Sequence, residues 1–75
     1  MIQLLDYVAR VELWQSWAVA PGGVLGEPLA AEDGRSVVVP TGSPERVVLV
    51  AVAENGTRLA YWRMTVAPGE RVSVA

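Results

Sequence analysis

The sequence predicts an all-β fold, a small antiparallel β-sandwich or barrel of about six short strands in a single domain that spans residues 1–75. Its apolar stretches are short and rich in Val and aromatic residues, which is typical of strands. Gly and Pro separate these stretches about every 8 to 12 residues, as turns do in small all-β proteins. The chain has no heptad pattern, internal repeat or low-complexity tract that would indicate another architecture.

The first predicted strand covers residues 5–13, where apolar and polar side chains alternate. The residues predicted to face the core are Leu5, Tyr7, Ala9, Val11 and Leu13, and those on the other side are Asp6, Arg10 and Glu12, with Val8 as the exception. A helix is the competing interpretation, because apolar residues also recur here at helical spacing. In a helix, however, Glu12 and Gln15 would lie beside the apolar stripe, so we favour a strand.

Four turn signals divide the rest of the chain. They are residues 20–23 (Ala-Pro-Gly-Gly, type II), residues 31–34 (Ala-Glu-Asp-Gly, with Gly34 in the left-handed region), the loop at residues 40–44, and residues 67–70 (Ala-Pro-Gly-Glu, type II). The short apolar pieces around Gly26 and Pro28 suit an edge strand or a covering loop, since Pro cannot donate to a central ladder. Residues 35–39 and 71–74 are predicted strands.

A β-hairpin at residues 46–66 is the centre of the predicted fold. Asn55-Gly56 can adopt the positive φ angles of a type I′ turn between two antiparallel strands. In that register one face carries the pairs Val52–Leu59, Val50–Tyr61 and Val48–Arg63, and the other carries Ala53–Arg58, Ala51–Ala60, Leu49–Trp62 and Val47–Met64. A four-residue loop at residues 54–57 keeps the same partners.

Both faces of this hairpin are apolar enough to be buried. The face with Leu49, Trp62 and Met64 is the better core, because it has the bulkier side chains. The other face is apolar in its middle and polar at its rim, as a protein interface is. We therefore predict an interface formed by Val48, Val50, Val52, Leu59, Tyr61, Arg63 and Trp14. The alternative is a sandwich interior in which a connecting segment of the chain covers this face.

The size and composition of the chain favour association with other protein chains. A domain of 75 residues buries only about 60 to 65% of the surface that its unfolded chain exposes, yet 52% of these residues are hydrophobic and 19% are charged. Disulfides are excluded because Cys is absent, and the commonest transition-metal ligands, His and Cys, are both missing. We therefore expect a protein partner, in a homo-oligomer or a larger assembly.

Composition also argues against several classes of function. A net charge of −2 provides no basic patch for nucleic acid, and no apolar run reaches the roughly 18 residues of a membrane span. The N-terminus lacks the basic region of a secretory signal, so we expect a virion or cytoplasmic location. Without His and Cys, and with the adjacent carboxylates Glu32 and Asp33 in a predicted surface turn, we expect no enzymatic activity, cofactor or metal site.

The aromatic residues are the remaining signal. Continued past the first strand, the alternation points Trp17 inward and Trp14 outward, either in one long strand or in two that bend at Gln15-Ser16. We therefore expect core positions for Trp17 and Trp62. An outward Trp14 suits an interface anchor or a platform on which a sugar ring stacks.

The order of loop, hairpin, Ala-Pro-Gly-Glu turn and final strand, residues 44–74, resembles the C-terminal half of compact immunoglobulin-like accessory domains, although this chain lacks their Cys residues. In size and class the chain also resembles the small virion proteins of tailed bacteriophages, such as capsid decoration or tail accessory proteins. The resemblance implies a structural, non-enzymatic role. The alternatives are a carbohydrate- or ligand-binding module that uses exposed Trp and Tyr, and an inhibitor of a cellular enzyme.

Overall fold

Eight short strands make up most of the computed structural model, which describes residues 4–20, 23–24 and 26–74. The strands are β1 Val8–Gln15, β2 Val19–Ala20, β3 Gly23–Val24, β4 Ala30–Asp33, β5 Ser36–Val38, β6 Arg46–Ala53, β7 Arg58–Thr65 and β8 Arg71–Ser73. Two 3-10 helical turns, Leu4–Tyr7 and Ser16–Ala18, flank β1, and the described residues contain no α-helix. The predicted all-β class is confirmed, with more and shorter strands than expected.

Strands β4, β1, β6 and β7 form, in that order, an antiparallel four-stranded sheet. Strands β5 and β8 form a two-stranded antiparallel sheet, and β2 pairs with β3 in a small separate hairpin. In the described part of the chain the large sheet does not close on itself, so β4 and β7 are its edges. The architecture is therefore an open sandwich and not a barrel.

The core lies between the four-stranded sheet and the β5–β8 pair. Its buried side chains, almost all of them β-branched or Leu, are Val11, Leu13, Val37, Val39, Val47, Leu49, Ala51, Val66, Val72 and Val74. Trp62 and Met64 of β7 pack against this cluster from one flank. The hairpin face that was expected to be the better core is thus the one that the second sheet covers.

Strand β1 begins three residues later than predicted and contains a β-bulge. Ala9 is the extra residue between the pairs Val8–Ala53 and Arg10–Val52. A bulge reverses the alternation of side chains, so Val8 packs against the core. This explains why Val8 breaks the polar pattern of the sequence. Tyr7, expected inward, belongs to the preceding helical turn and is exposed.

The chain bends after Gln15, as the second of the two alternatives for this region predicted. The turn Ser16–Ala18 interrupts the strand alternation, and β2 follows it. The expectation that Trp17 lies in the core is wrong, because its side chain is 70% exposed. The predicted type II turn between β2 and β3 falls at residues 21–22, which lie outside the described residues.

Gly34 is where the chain crosses from the large sheet to the small one. Its φ of +100° lies in the left-handed region, as predicted, and its amide donates to the carbonyl of Ala9, the bulged residue, at 2.9 Å. The turn itself was placed too early, since Ala31, Glu32 and Asp33 belong to β4. The Glu32 side chain is not simply solvated, because its Oε2 accepts from the Val38 amide at 2.8 Å.

The β6–β7 hairpin has the predicted register over most of its length but a different turn. Gly56 donates to the Ala53 carbonyl at 2.9 Å, and Gly56 has a φ of +89° while Asn55 has a negative φ. This is a three-residue loop, residues 54–56, whose last residue is a left-handed Gly, and not the type I′ turn. Val52 therefore pairs with Arg58 and not with Leu59, and a bulge at Leu59 restores the predicted pairing from Ala51–Ala60 onward.

The two loops in the C-terminal half agree with the sequence. Glu70 donates to the Ala67 carbonyl at 3.1 Å, and Gly69 has a φ of +82°, which together define the predicted type II turn. Ser43 donates to the Pro40 carbonyl at 3.2 Å in the loop at residues 40–44. These turns bring β8 back against β5, with Val37 paired to Val72.

Candidate functional site: the outer face of the sheet

The side of the four-stranded sheet that faces away from β5 and β8 is called the outer face here. The register places its residues in rows across the strands. The rows are Asp33, Arg10, Val52 and Arg58; then Ala31, Glu12, Val50 and Tyr61; then Trp14, Val48 and Arg63. Every predicted interface residue except Leu59 falls in these rows, so the structure does bring them together on one face.

The apolar centre of this face is already buried within the single chain. Val48, Val50 and Val52 are at most 1% exposed, and they form one buried cluster with Trp14, which is 3% exposed. The valines are therefore core residues and not an uncovered docking surface. The alternative that the sequence left open, an interior covered by the chain itself, describes this part of the face. Trp14 is not available as a stacking platform.

Hydrogen bonds between neighbouring side chains along β1 hold Trp14 in place. Its indole Nε1 donates to Glu12 Oε1 at 2.9 Å, and Arg10 donates to Glu12 Oε2 from Nε at 3.1 Å and from Nη2 at 2.9 Å. These residues are two apart on one strand face, so their side chains lie side by side. Glu12 is 6% exposed and uses both carboxylate oxygens. Sequence reasoning placed it on a polar face and missed this role.

Two exposed aromatic residues, Trp17 and Tyr61, lie on segments that Arg63 connects, and these three residues are called the Trp17–Tyr61 surface here. The two rings are 70% and 58% exposed. Arg63 Nη1 donates to the Ser16 carbonyl at 3.2 Å, which fixes the start of the Ser16–Ala18 turn beside β7. Tyr61 is two residues from Arg63 on the same strand face, and Trp17 directly follows Ser16, whose carbonyl accepts from Arg63.

Leu59 lies at the end of the sheet, next to a cleft of about 630 Å³. Both bulged residues, Ala9 and Leu59, line this cleft, together with Tyr7. Leu59 is half-buried, and its bulge removes it from the regular row of Tyr61 and Arg63. The structure thus separates it from the rest of the predicted interface.

The described residues offer little chemistry beyond contact. They contain no group of three Asp or Glu side chains placed to bind a metal ion. Their helical turns are also far shorter than a membrane-spanning helix. What the structure does present is an exposed Trp17 and an exposed Tyr61 on two segments that Arg63 connects. These are the residue types that contribute most binding energy in protein interfaces.

Sequence reasoning could not find Trp17, because its signal was the strand alternation that the Ser16–Ala18 turn interrupts. Tyr61 and Trp17 come from segments more than forty residues apart, and the bond from Arg63 to the Ser16 carbonyl connects these segments. No protein family model matches the chain, and comparison with curated proteins and with solved structures finds no significant similarity.

Proposed function

We propose that this chain is a non-enzymatic structural subunit that docks onto other protein chains, copies of itself included, through the Trp17–Tyr61 surface. The observation that carries the proposal is the exposure of Trp17 and Tyr61 beside Arg63. Large aromatic side chains cost little conformational entropy when they are immobilised, and they bury much apolar area in an interface. Two such rings left in water on a chain of this size favour a partner that covers them.

A small virion subunit of a tailed bacteriophage, either a capsid decoration protein or a tail accessory protein, is the class of assembly we propose. The support is general: a small all-β chain, an excess of apolar residues, and the absence of His and Cys from the sequence. In that role the chain would be found in the virion, or in the cytoplasm before assembly. Fold alone does not assign a function, so the docking surface is the part of this proposal to test.

The test is the molar mass in solution over a concentration series, measured by light scattering after size exclusion. We expect a species larger than the 8.0 kDa monomer, and a midpoint of assembly that rises by roughly 30-fold in Tyr61→Asp or Trp17→Ala, the effect of losing about 2 kcal/mol at an interface hot spot. Thr41→Asp, in the exposed loop at residues 40–44, is the matched control. Val50→Asp is unsuitable, because a charge at a buried position unfolds the monomer.

A monomer at all concentrations contradicts self-assembly. In that case the alternative, a carbohydrate- or ligand-binding module, has one observation in its favour, the exposed ring of Trp17. The stacking platform would then be Trp17 and not Trp14. Quenching of tryptophan fluorescence by added glucose or N-acetylglucosamine, lost in Trp17→Ala, would support that alternative.

A further inference from the structure

We propose that copies of this chain assemble head to tail through the two open edges of the four-stranded sheet, with β7 of one copy pairing antiparallel to β4 of the next. The inference rests on the proposed function and names its partner, which is a second copy, and its contact. Head-to-tail pairing between different edges forms a ring where the rotation between copies closes, and a filament where it does not.

Both edges carry backbone groups that the described part of the chain leaves outside its ladders. On β4, the bond from the Gly34 amide to the Ala9 carbonyl makes Arg10–Asp33 a pair without direct hydrogen bonds, so the N–H and C=O of Asp33 and Ala31 point away from β1. On β7, the bond from the Val66 amide to the Glu45 carbonyl has the same consequence for Arg63 and Tyr61. An exposed row of such groups is a template for another strand.

The strand directions and the side-chain alternation of the two edges are compatible with antiparallel pairing. Strands alternate in direction across the sheet, so β4 runs antiparallel to β7, and a copy placed beside β7 in the plane of the sheet continues the antiparallel order. The edge residues whose backbone N–H and C=O point away from the sheet, Ala31 and Tyr61 among them, have their side chains on the outer face. The outer faces of the two copies therefore become one continuous face, and the core-covered faces of both copies lie together on the opposite side of the joined sheet.

Charge favours the pairing of β7 with β4 over the pairing of β7 with β7. The outer face ends in Asp33 at the β4 edge and in Arg58 at the β7 edge, and both residues are exposed. They lie in the same row of the sheet, so a copy placed level with the first brings Asp33 next to Arg58 and Ala31 next to Tyr61. Pairing β7 with β7 would instead bring Arg58 towards Arg63, and like charges across strands are destabilising.

The first test is the same concentration series, measured on variants in which the charges at the contact are exchanged. Arg58→Glu and Asp33→Arg each place like charges at the contact, and we expect each to raise the midpoint of assembly by about tenfold. The two substitutions combined in one chain restore opposite charges and should return the midpoint close to that of the original protein. Thermal unfolding of each variant, followed by circular dichroism, checks that the monomer remains folded.

A second variant tests the backbone contact directly. Ala31→Pro removes an N–H that points away from β1, so it leaves the β1–β4 hydrogen bonds intact while it blocks the next strand. We expect loss of assembly with a folded monomer. The inference is overturned if the protein assembles and the doubly exchanged chain is no better than the single variants, or if Ala31→Pro assembles normally. That result leaves docking through the Trp17–Tyr61 surface standing, whereas a protein that is monomeric throughout overturns this inference and leaves for that surface only docking onto a different protein.

Discussion

At the scale of single residues, Glu12 has the most demanding position in the molecule. Its carboxylate is buried on the outer face and accepts hydrogen bonds from the indole of Trp14 and the guanidinium of Arg10. A buried carboxylate is tolerated only where such partners compensate for lost hydration. Here the same bonds fix the indole that shares a buried cluster with Val48, Val50 and Val52, so one polar side chain orders an apolar cluster.

Glu12→Ala should lower the free energy of unfolding by about 1 to 3 kcal/mol, because it leaves the buried indole N–H without an acceptor. Urea denaturation, followed by circular dichroism, measures the change. Glu54→Ala, in the exposed hairpin turn, is the control and should change stability by no more than about 0.5 kcal/mol. Equal losses in the two variants would mean that the Trp14–Glu12 bond adds nothing to stability.

Residue positions were predictable from the sequence only where the strand alternation continued. The core positions of Val11, Leu13, Leu49 and Val47 follow from it directly. Trp14 was placed on the correct face, but its burial depends on a hydrogen bond to Glu12 that no periodicity can reveal. Trp17 was misplaced because a helical turn of three residues resets the alternation.

At the scale of elements, the β6–β7 hairpin shows how a wrong turn can accompany a correct register. The three-residue loop displaces the pairing by one residue relative to a two-residue turn, and the bulge at Leu59 displaces it back. Beyond the bulge the faces are therefore those that alternation demands. The hydrophobic pattern specifies which side chains share a face, but it contains no information on two local offsets that cancel.

Deletion of Leu59 should be tolerated, because it removes the bulge and leaves every other pair of the hairpin in place. Deletion of Arg63 should abolish cooperative unfolding, since a one-residue slip moves part of β7 to the opposite face. The measurement is the melting temperature of each deletion variant, compared with that of the parent protein. A similar loss of melting temperature in both would contradict the assignment of Leu59 as the extra residue.

At the scale of the whole molecule, the small β5–β8 sheet covers one side of the core. Val37 and Val39 from its first half, and Val72 and Val74 from its second, close over the larger sheet. A chain of this size has little stability in excess, so neither layer is expected to persist alone. The general layout of two sheets was predictable, whereas the order of strands was not, because alternation does not say which strands are neighbours.

A chain that ends at Ala67 lacks β8 and should show no cooperative thermal transition, because its core loses Val72 and Val74 and β5 loses its partner. Near-ultraviolet circular dichroism, which reports fixed aromatic side chains, provides the measurement. A chain that ends at Val74 is the control and should unfold as the full protein does. A cooperative transition in the shorter chain would show that the four-stranded sheet is stable without the β5–β8 sheet.

The position of β1 has a consequence for how the protein is made. This strand precedes the other described strands in the sequence, yet it is paired on both sides by strands that follow it, and Leu13 pairs with Leu49, 36 residues later. Local contacts form sooner than distant ones, so the β6–β7 hairpin is expected to form first and β1 to join it afterwards. Until β6 has left the ribosome, the edge of β1 that pairs with β6 stays open, and Arg10 and Glu12 give the strand a charged side that resists aggregation.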